Sequence, residues 1–99
     1  MYYAIICEDV ANSLPLRQRA RPAHLERIQQ LVDEGRLLAA GPHPALDTPE
    51  PGEAGFSGSL IIAEFDSLEE AVTWAETDPY VDAGVFSRVK VKPYKVVLP

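Results

Sequence analysis

The sequence predicts an α+β domain whose elements run strand, helix, strand, strand, helix, strand. Three features predict it: short runs rich in aromatic and β-branched residues, two stretches where apolar residues recur three or four apart, and Pro- and Gly-rich punctuation between them. That order is the split βαβ pattern of a ferredoxin-like fold, a four-stranded antiparallel sheet with both helices on one face. At 99 residues the chain is expected to be one domain, residues 1–99.

The first strand is "YYAIIC", Tyr2 to Cys7, which gives way to the polar "EDVANS". Cys7 lies inside that apolar run and reads as buried filler. The first helix is read from Pro22, with Leu25, Ile28, Leu31 and Val32 as its apolar stripe and charged or amide residues between them. Pro22 suits a first helical turn, where a missing N–H costs little, and Gly35 suits the left-handed position just past the end.

"RLLAAG" reads as a short buried strand, and "PHPALDTPEPGEAGFSG" as a long loop of four prolines and three glycines, of the kind that lines or covers a binding site. "SLIIAEF" is the third strand. In "SLEEAVTWAETDPY" Ser67 is the expected N-cap of a second helix, Glu70 completes a capping box, and Leu68, Ala71, Val72 and Ala75 form the stripe. The last strand falls in "VFSRVKVKPYKVV", where Lys90 and Lys92 suit a partly solvated strand at a sheet edge.

"YYAIIC" and "SLIIAEF" are apolar at odd and even positions alike, so the sheet face away from the helices also needs cover. A second copy of the chain would provide it, giving a homodimer of the dimeric α+β barrel type.

Composition narrows the function classes. Apolar residues make up 46% and charged residues 24%, the balance of a folded soluble protein. A net charge of -6 speaks against a nucleic-acid surface, since only "RVKVKPYK" gathers cations. Without a long apolar run or a signal-peptide pattern, no membrane association is expected and the cytoplasm is the expected location. The lone Cys7 rules out an intrachain disulfide.

The strand and helix directions of this topology bring His24, Asp78, Asp9, Gly41, Pro42 and Ser59 to one end of the sheet. At the start of a helix, and partly buried, a histidine is disfavoured as imidazolium. A neighbouring carboxylate would fix its tautomer and leave the other ring nitrogen free to take a proton, and Asp78 is the candidate. Two readings stay open at this point, because Asp78 before Pro79 is also the pattern of an N-cap and a lone His is commonly structural. Arg17 and Arg21, with Arg19 beside them, could hold a substrate anion, or be solvated or paired with Glu8, Asp9 or Asp47. Ser13 and Ser59 could donate hydrogen bonds to a ligand, Gly41 and Pro42 would let backbone approach it, and Tyr80 and Trp74 read as core. His43 could pair with His24 on a metal, but no close-spaced ligand motif supports it and no metal is assigned.

The segments "RPAHLERIQQLVDEGRLLAAGPHPALD", "PGEAGFSGSLIIAEFDSLEEAVTWAETDPYVDAGVF" and "VKVKPYK" resemble the YciI-like, or YCII-related, family over nearly the whole chain. The resemblance implies a ferredoxin-like fold, a dimeric α+β barrel and a site centred on the histidine of "RPAHL", His24, and the aspartate of "DPY", Asp78. It also implies a more distant likeness to muconolactone isomerases and chloromuconolactone dehalogenases, which use no organic cofactor. The expected function is acid–base chemistry of an isomerase, lyase or dehalogenase type on a small, anionic acid or lactone, with no cofactor; the alternative is a non-catalytic dimeric module that binds a small ligand.

Overall fold

The computed structural model describes all 99 residues. Strand β1 (Tyr2–Asp9) leads into helix α1 (Leu14–Asp33) and strand β2 (Leu37–Pro44). Strand β3 (Phe56–Glu64), helix α2 (Leu68–Glu76), the single-turn helix α3 (Pro79–Asp82) and strand β4 (Phe86–Tyr94) follow. The sheet order is β2-β3-β1-β4, with every neighbouring pair antiparallel, so the ferredoxin-like arrangement expected from the element order is the one observed.

Alternation divides β1 between two environments. Tyr3, Ile5 and Cys7 face the helices and pack with Ile61, Ala63 and Phe65 of the β3 segment, Ile28 and Leu31 of α1, and Ala71 and Ala75 of α2. Full burial of a side chain such as Ile5 or Leu31 contributes about 1.5–3 kcal/mol each. Burial pushes the Cys7 thiol up to about 12, aided by the negative charges of Asp78 and Asp9, so it stays protonated core filler at neutral pH. On the other sheet face Ile6, Leu60 and Ile62 are only half-buried, beside the paired Lys90 and Lys92 of edge strand β4.

Helix α1 departs most from expectation. It starts at Leu14, not at Pro22, and Pro22 lies within it, exposed. The inward positions of α1 are Arg17, His24, Ile28 and Leu31, whereas Leu25 and Val32, expected on the buried stripe, are about half exposed. Apolar periodicity thus reports only the second half of the helix, because the inward face of the first half is polar. Pro15 takes the early position, where an absent N–H is harmless, that the sequence reading gave to Pro22. Gly35 does hold the left-handed conformation after the helix, at φ 69°.

Strand β2 is longer and more exposed than the buried "RLLAAG" segment predicts. It runs on through Pro42, His43 and Pro44, and all but Leu37 are exposed, as suits an edge strand that can tolerate proline. Ser67 caps α2 by accepting from the Glu70 N–H at 3.1 Å. Helix α2 stops at Glu76, and the chain restarts as α3 with Asp78 as N-cap and Pro79 in its first turn.

Gly58 is a position where packing demands glycine. A Cβ there would collide with the Cys7 carbonyl oxygen across the β1–β3 pairing, and would come within 3.1 Å of His43 Nδ1. Gly58→Ala is therefore expected to cost about 1–3 kcal/mol, the range for overpacking a tight site, read as a lowered midpoint in urea unfolding.

Candidate active site

Between α1 and the β2–β3 half of the sheet lies a cavity of about 340 Å³. Its walls are built from residues one turn apart on α1 and from inward side chains of the strands. From α1 come Arg17, Arg21 and His24; from β2, Ala40 and Pro42; from β3, Ser59 and Ile61; and Tyr80 closes one side. The volume is at the small end of ligand pockets, which suits a molecule of about one ring with its substituents.

His24 is buried, and its Nδ1 stands 2.9 Å from both carboxylate oxygens of Asp78. A carboxylate only accepts, so Nδ1 carries the hydrogen and donates it, and a neutral ring presents its lone pair at Nε2. Nε2 has no hydrogen-bond partner within the chain and is not sealed from solvent. The ring lies flat on Tyr80, with centroids 3.9 Å apart and planes 9° from parallel. The helix dipole plays no part in this environment, because His24 sits in the middle of α1 rather than in its first turn. Asp78 meets both roles open to it from sequence: it contacts His24, and its Oδ1 accepts from the Tyr80 N–H at 2.8 Å as the N-cap of α3.

Arg17 is buried rather than solvated. Its Nε and Nη2 grip Asp9 at 2.6 and 2.8 Å, and Nη2 also donates to the Gly58 carbonyl and to Ser59 Oγ, each at 2.9 Å. Its guanidinium is stacked near the rings of Phe56 and Tyr80, at 5.3 and 5.2 Å. Ser13 is turned away from the cavity: its hydroxyl donates to Asp9 at 2.5 Å, completing the carboxylate's shell and forgoing a cap on α1. Arg21 is exposed at the cavity wall. Burial pushes the Tyr80 phenol up from its usual range, while Arg17 and Arg21 pull it back, so the site combines an apolar wall with positive charge.

Several expected features are placed differently. Gly41 lines the cavity through its backbone only, since strand alternation aims a side chain there at the opposite face. His43, next to Pro42, points to that face too and does not join His24. None of residues 45–55 lines the cavity, so the long loop does not cover it; Phe56, at the start of β3, is the residue from that region that does. Tyr80 is core, as read, but also a wall of the site. Its place was legible only through Asp78, two residues before it, whose carboxylate holds its backbone N–H.

Residues 1–95 match the model of the YCII-related domain. The chain belongs to the YCII-related family. Among its YCII-related relatives is Protein YciI of Escherichia coli O6:H1, 60% identical over 97 residues that span 98% of this chain and 99% of that one. An uncharacterized protein of Haemophilus influenzae is 53% identical over the same shares of both chains. In three dimensions the YCII-related chain is similar to the 5-chloro-2-hydroxyhydroquinone dehydrochlorinase TftG of Burkholderia phenoliruptrix AC1100, in its complex with 2,5-dihydroxybenzoquinone. The TM-score is 0.83 and the identity 28%, covering 96% of this chain and 94% of TftG. The similarity extends the fold assignment to an enzyme with a bound small molecule.

Arg17→Met is expected to destabilise the chain by about 3–5 kcal/mol, because it leaves the Asp9 carboxylate buried without its cation. Replacing Asp9 and Arg17 together by apolar residues is expected to cost less than Arg17→Met alone, measured by urea unfolding of the three variants.

Proposed function

We propose that the cavity is the active site of a cofactor-independent enzyme in which His24 is the general base and then the general acid. The observation that carries this reading is the geometry of one ring: Nδ1 committed to Asp78 at 2.9 Å, and Nε2 without a partner in the chain, on a residue of the cavity wall. Such a ring can take a proton from a bound molecule, be stabilised as imidazolium by the carboxylate, and return the proton elsewhere.

The substrate class follows from the wall. Tyr80 and Phe56 offer ring faces, Arg17 and Arg21 offer positive charge, and the volume admits a single ring, so the substrate is a small oxygenated ring or short acid bearing negative charge. Two outcomes fit a base with no adjacent nucleophile. In an elimination, His24 takes the proton, the electron pair forms a new double bond, and a leaving group such as chloride departs with its own pair. In an isomerisation, the same proton is delivered to another carbon. TftG, a dehydrochlorinase solved with a hydroxylated quinone, supports the elimination arm and a ring substrate.

A panel of small carboxylic acids, lactones and halogenated hydroxyquinones, assayed for proton and halide release, tests the proposal. His24→Gln is expected to lower turnover by about 10²–10⁴-fold, the usual contribution of a positioned acid–base group. Asp78→Asn keeps an oxygen for the Tyr80 N–H but loses the carboxylate, and is expected to lose turnover with a smaller loss of fold. Undiminished turnover in His24→Gln would remove the mechanism. The double duty of Asp78 favours a second reading, a binding module in which the pair is structural; ligand bound by the wild type without turnover, and no longer bound by unfolded His24→Gln, is its signature.

We further propose that the active form is a homodimer, with the half-buried Ile6, Leu60 and Ile62 face covered by a second copy. Sedimentation at micromolar concentration is expected to show a dimer that Ile6→Lys converts to monomer.

A further inference from the structure

Arg27 lies on α1 one turn beyond His24, on the far side of Asp78 from the cavity. Its Nη2 donates to the Trp74 carbonyl at 3.0 Å and to Thr77 Oγ1 at 3.1 Å, and the guanidinium lies 4.4 Å from the centroid of the Trp74 ring. The other terminal nitrogen is different. Nη1 is closed off from solvent and makes no hydrogen bond; the carboxylate within reach is Asp78, whose Oδ2 is 3.7 Å away.

A buried donor left without an acceptor is costly, and burial pushes the Arg27 guanidinium below its usual range while Asp78 pulls it back. At 3.7 Å what Nη1 can supply is charge rather than a directed hydrogen bond. That charge falls on Oδ2, one of the two oxygens that face His24 Nδ1, while Oδ1 is held by the Tyr80 N–H. The carboxylate is therefore fixed from three directions, with one cation behind it.

We propose that Arg27 is a positioning residue of the acid–base pair: its charge and its clamp on the end of α2 hold the Asp78 carboxylate against His24 Nδ1. This deepens the proposed function and rests on it for its catalytic meaning. Removing the cation frees Asp78 Oδ2, so the carboxylate no longer confines the neutral ring to its Nδ1–H tautomer.

The other groups facing the pair are Arg17 and Arg21 from α1, Tyr80 from α3, and Cys7 and Asp9 from β1. The cavity residues of β2 and β3 include no titratable side chain. Unlike Arg17 and Arg21, Arg27 approaches Asp78 within 4.0 Å and does not line the cavity, so its removal leaves the substrate wall intact.

The test is imidazole ¹⁵N NMR of the full chain at a pH where the rings are neutral, which distinguishes the two ring tautomers, with the exposed His43 as internal reference. In Arg27→Met, which keeps an apolar stem over Trp74, the neutral His24 ring is expected to lose its single Nδ1–H signature and show a mixture of Nδ1–H and Nε2–H tautomers. Arg27→Gln, a second neutral variant that retains a donor toward the Trp74 carbonyl, is expected to do the same, and Arg27→Lys to stay close to wild type. A folded neutral variant whose His24 ring keeps the single Nδ1–H signature overturns the assignment, as does an equal tautomer mixture in Arg27→Lys. The two proposals fail separately: full turnover in His24→Gln removes the catalytic role and leaves the tautomer change standing, whereas His24-dependent turnover with an unchanged tautomer in the neutral Arg27 variants removes Arg27 alone.

Discussion

The buried carboxylate of Asp78 is the point on which the arrangement depends. It lies at the junction of two helices. Helix α2 ends at Glu76, α3 begins at Pro79, and the residue between them that turns inward caps the second helix with one oxygen while meeting His24 of α1 with both. An ion of this kind is tolerable in the interior only when its lone pairs are filled. Here the Tyr80 N–H of α3 and the His24 N–H of α1 do so, and the Arg27 guanidinium, also of α1, adds a positive charge 3.7 Å from Oδ2. The histidine is thus oriented by a group that the fold already needs for another purpose.

A second buried ion, Arg17, is handled by the same logic on the other side of the cavity. Asp9 accepts from two of its nitrogens, and Ser13 donates to Asp9 in turn. The cation is held so fully that it is a fixed feature of the wall rather than a mobile tether. Arg21, one turn further along α1 and exposed, is free to adjust to a ligand. Fixed charge and adaptable charge sit side by side, and the flat stack of His24 on Tyr80 joins them to the acid–base pair. Preorganised groups of this sort need not reorient during a proton transfer, where a large part of the barrier in water lies.

Much of this was legible in the sequence. The strand and helix order led to the sheet topology, and the topology alone placed His24 near Asp78 although 54 residues separate them. What misled was the inward stripe of α1. Apolar periodicity detects a helix by what it buries in a core, and the stripe here is Arg17, His24, Ile28 and Leu31, polar in its first half and apolar in its second. The start of the helix was missed because its inward residues serve the cavity. Strand β2 differs from its sequence reading for a related reason: its leucines and alanines look like core and its prolines like loop, but on an edge strand Ala40 and Pro42 wall the cavity and the other face stays open. Arg27 had no sequence signal, since an arginine between apolar positions of a helix is the ordinary pattern of a solvated face.

The division of α1 also bears on how one scaffold can serve different substrates. The half that carries Ile28 and Leu31 is tied into the core with β1 and β3, where a change of one methylene is felt as stability. Arg21 and the neighbouring Gln18 are exposed, and the β2 wall facing them is an edge strand, so substitution there alters the cavity with little consequence for packing. His24 stands at the boundary. It is near enough to the core to be held at a fixed angle and near enough to the cavity to present a free nitrogen, a combination that a residue one turn earlier or later on the same helix would not achieve.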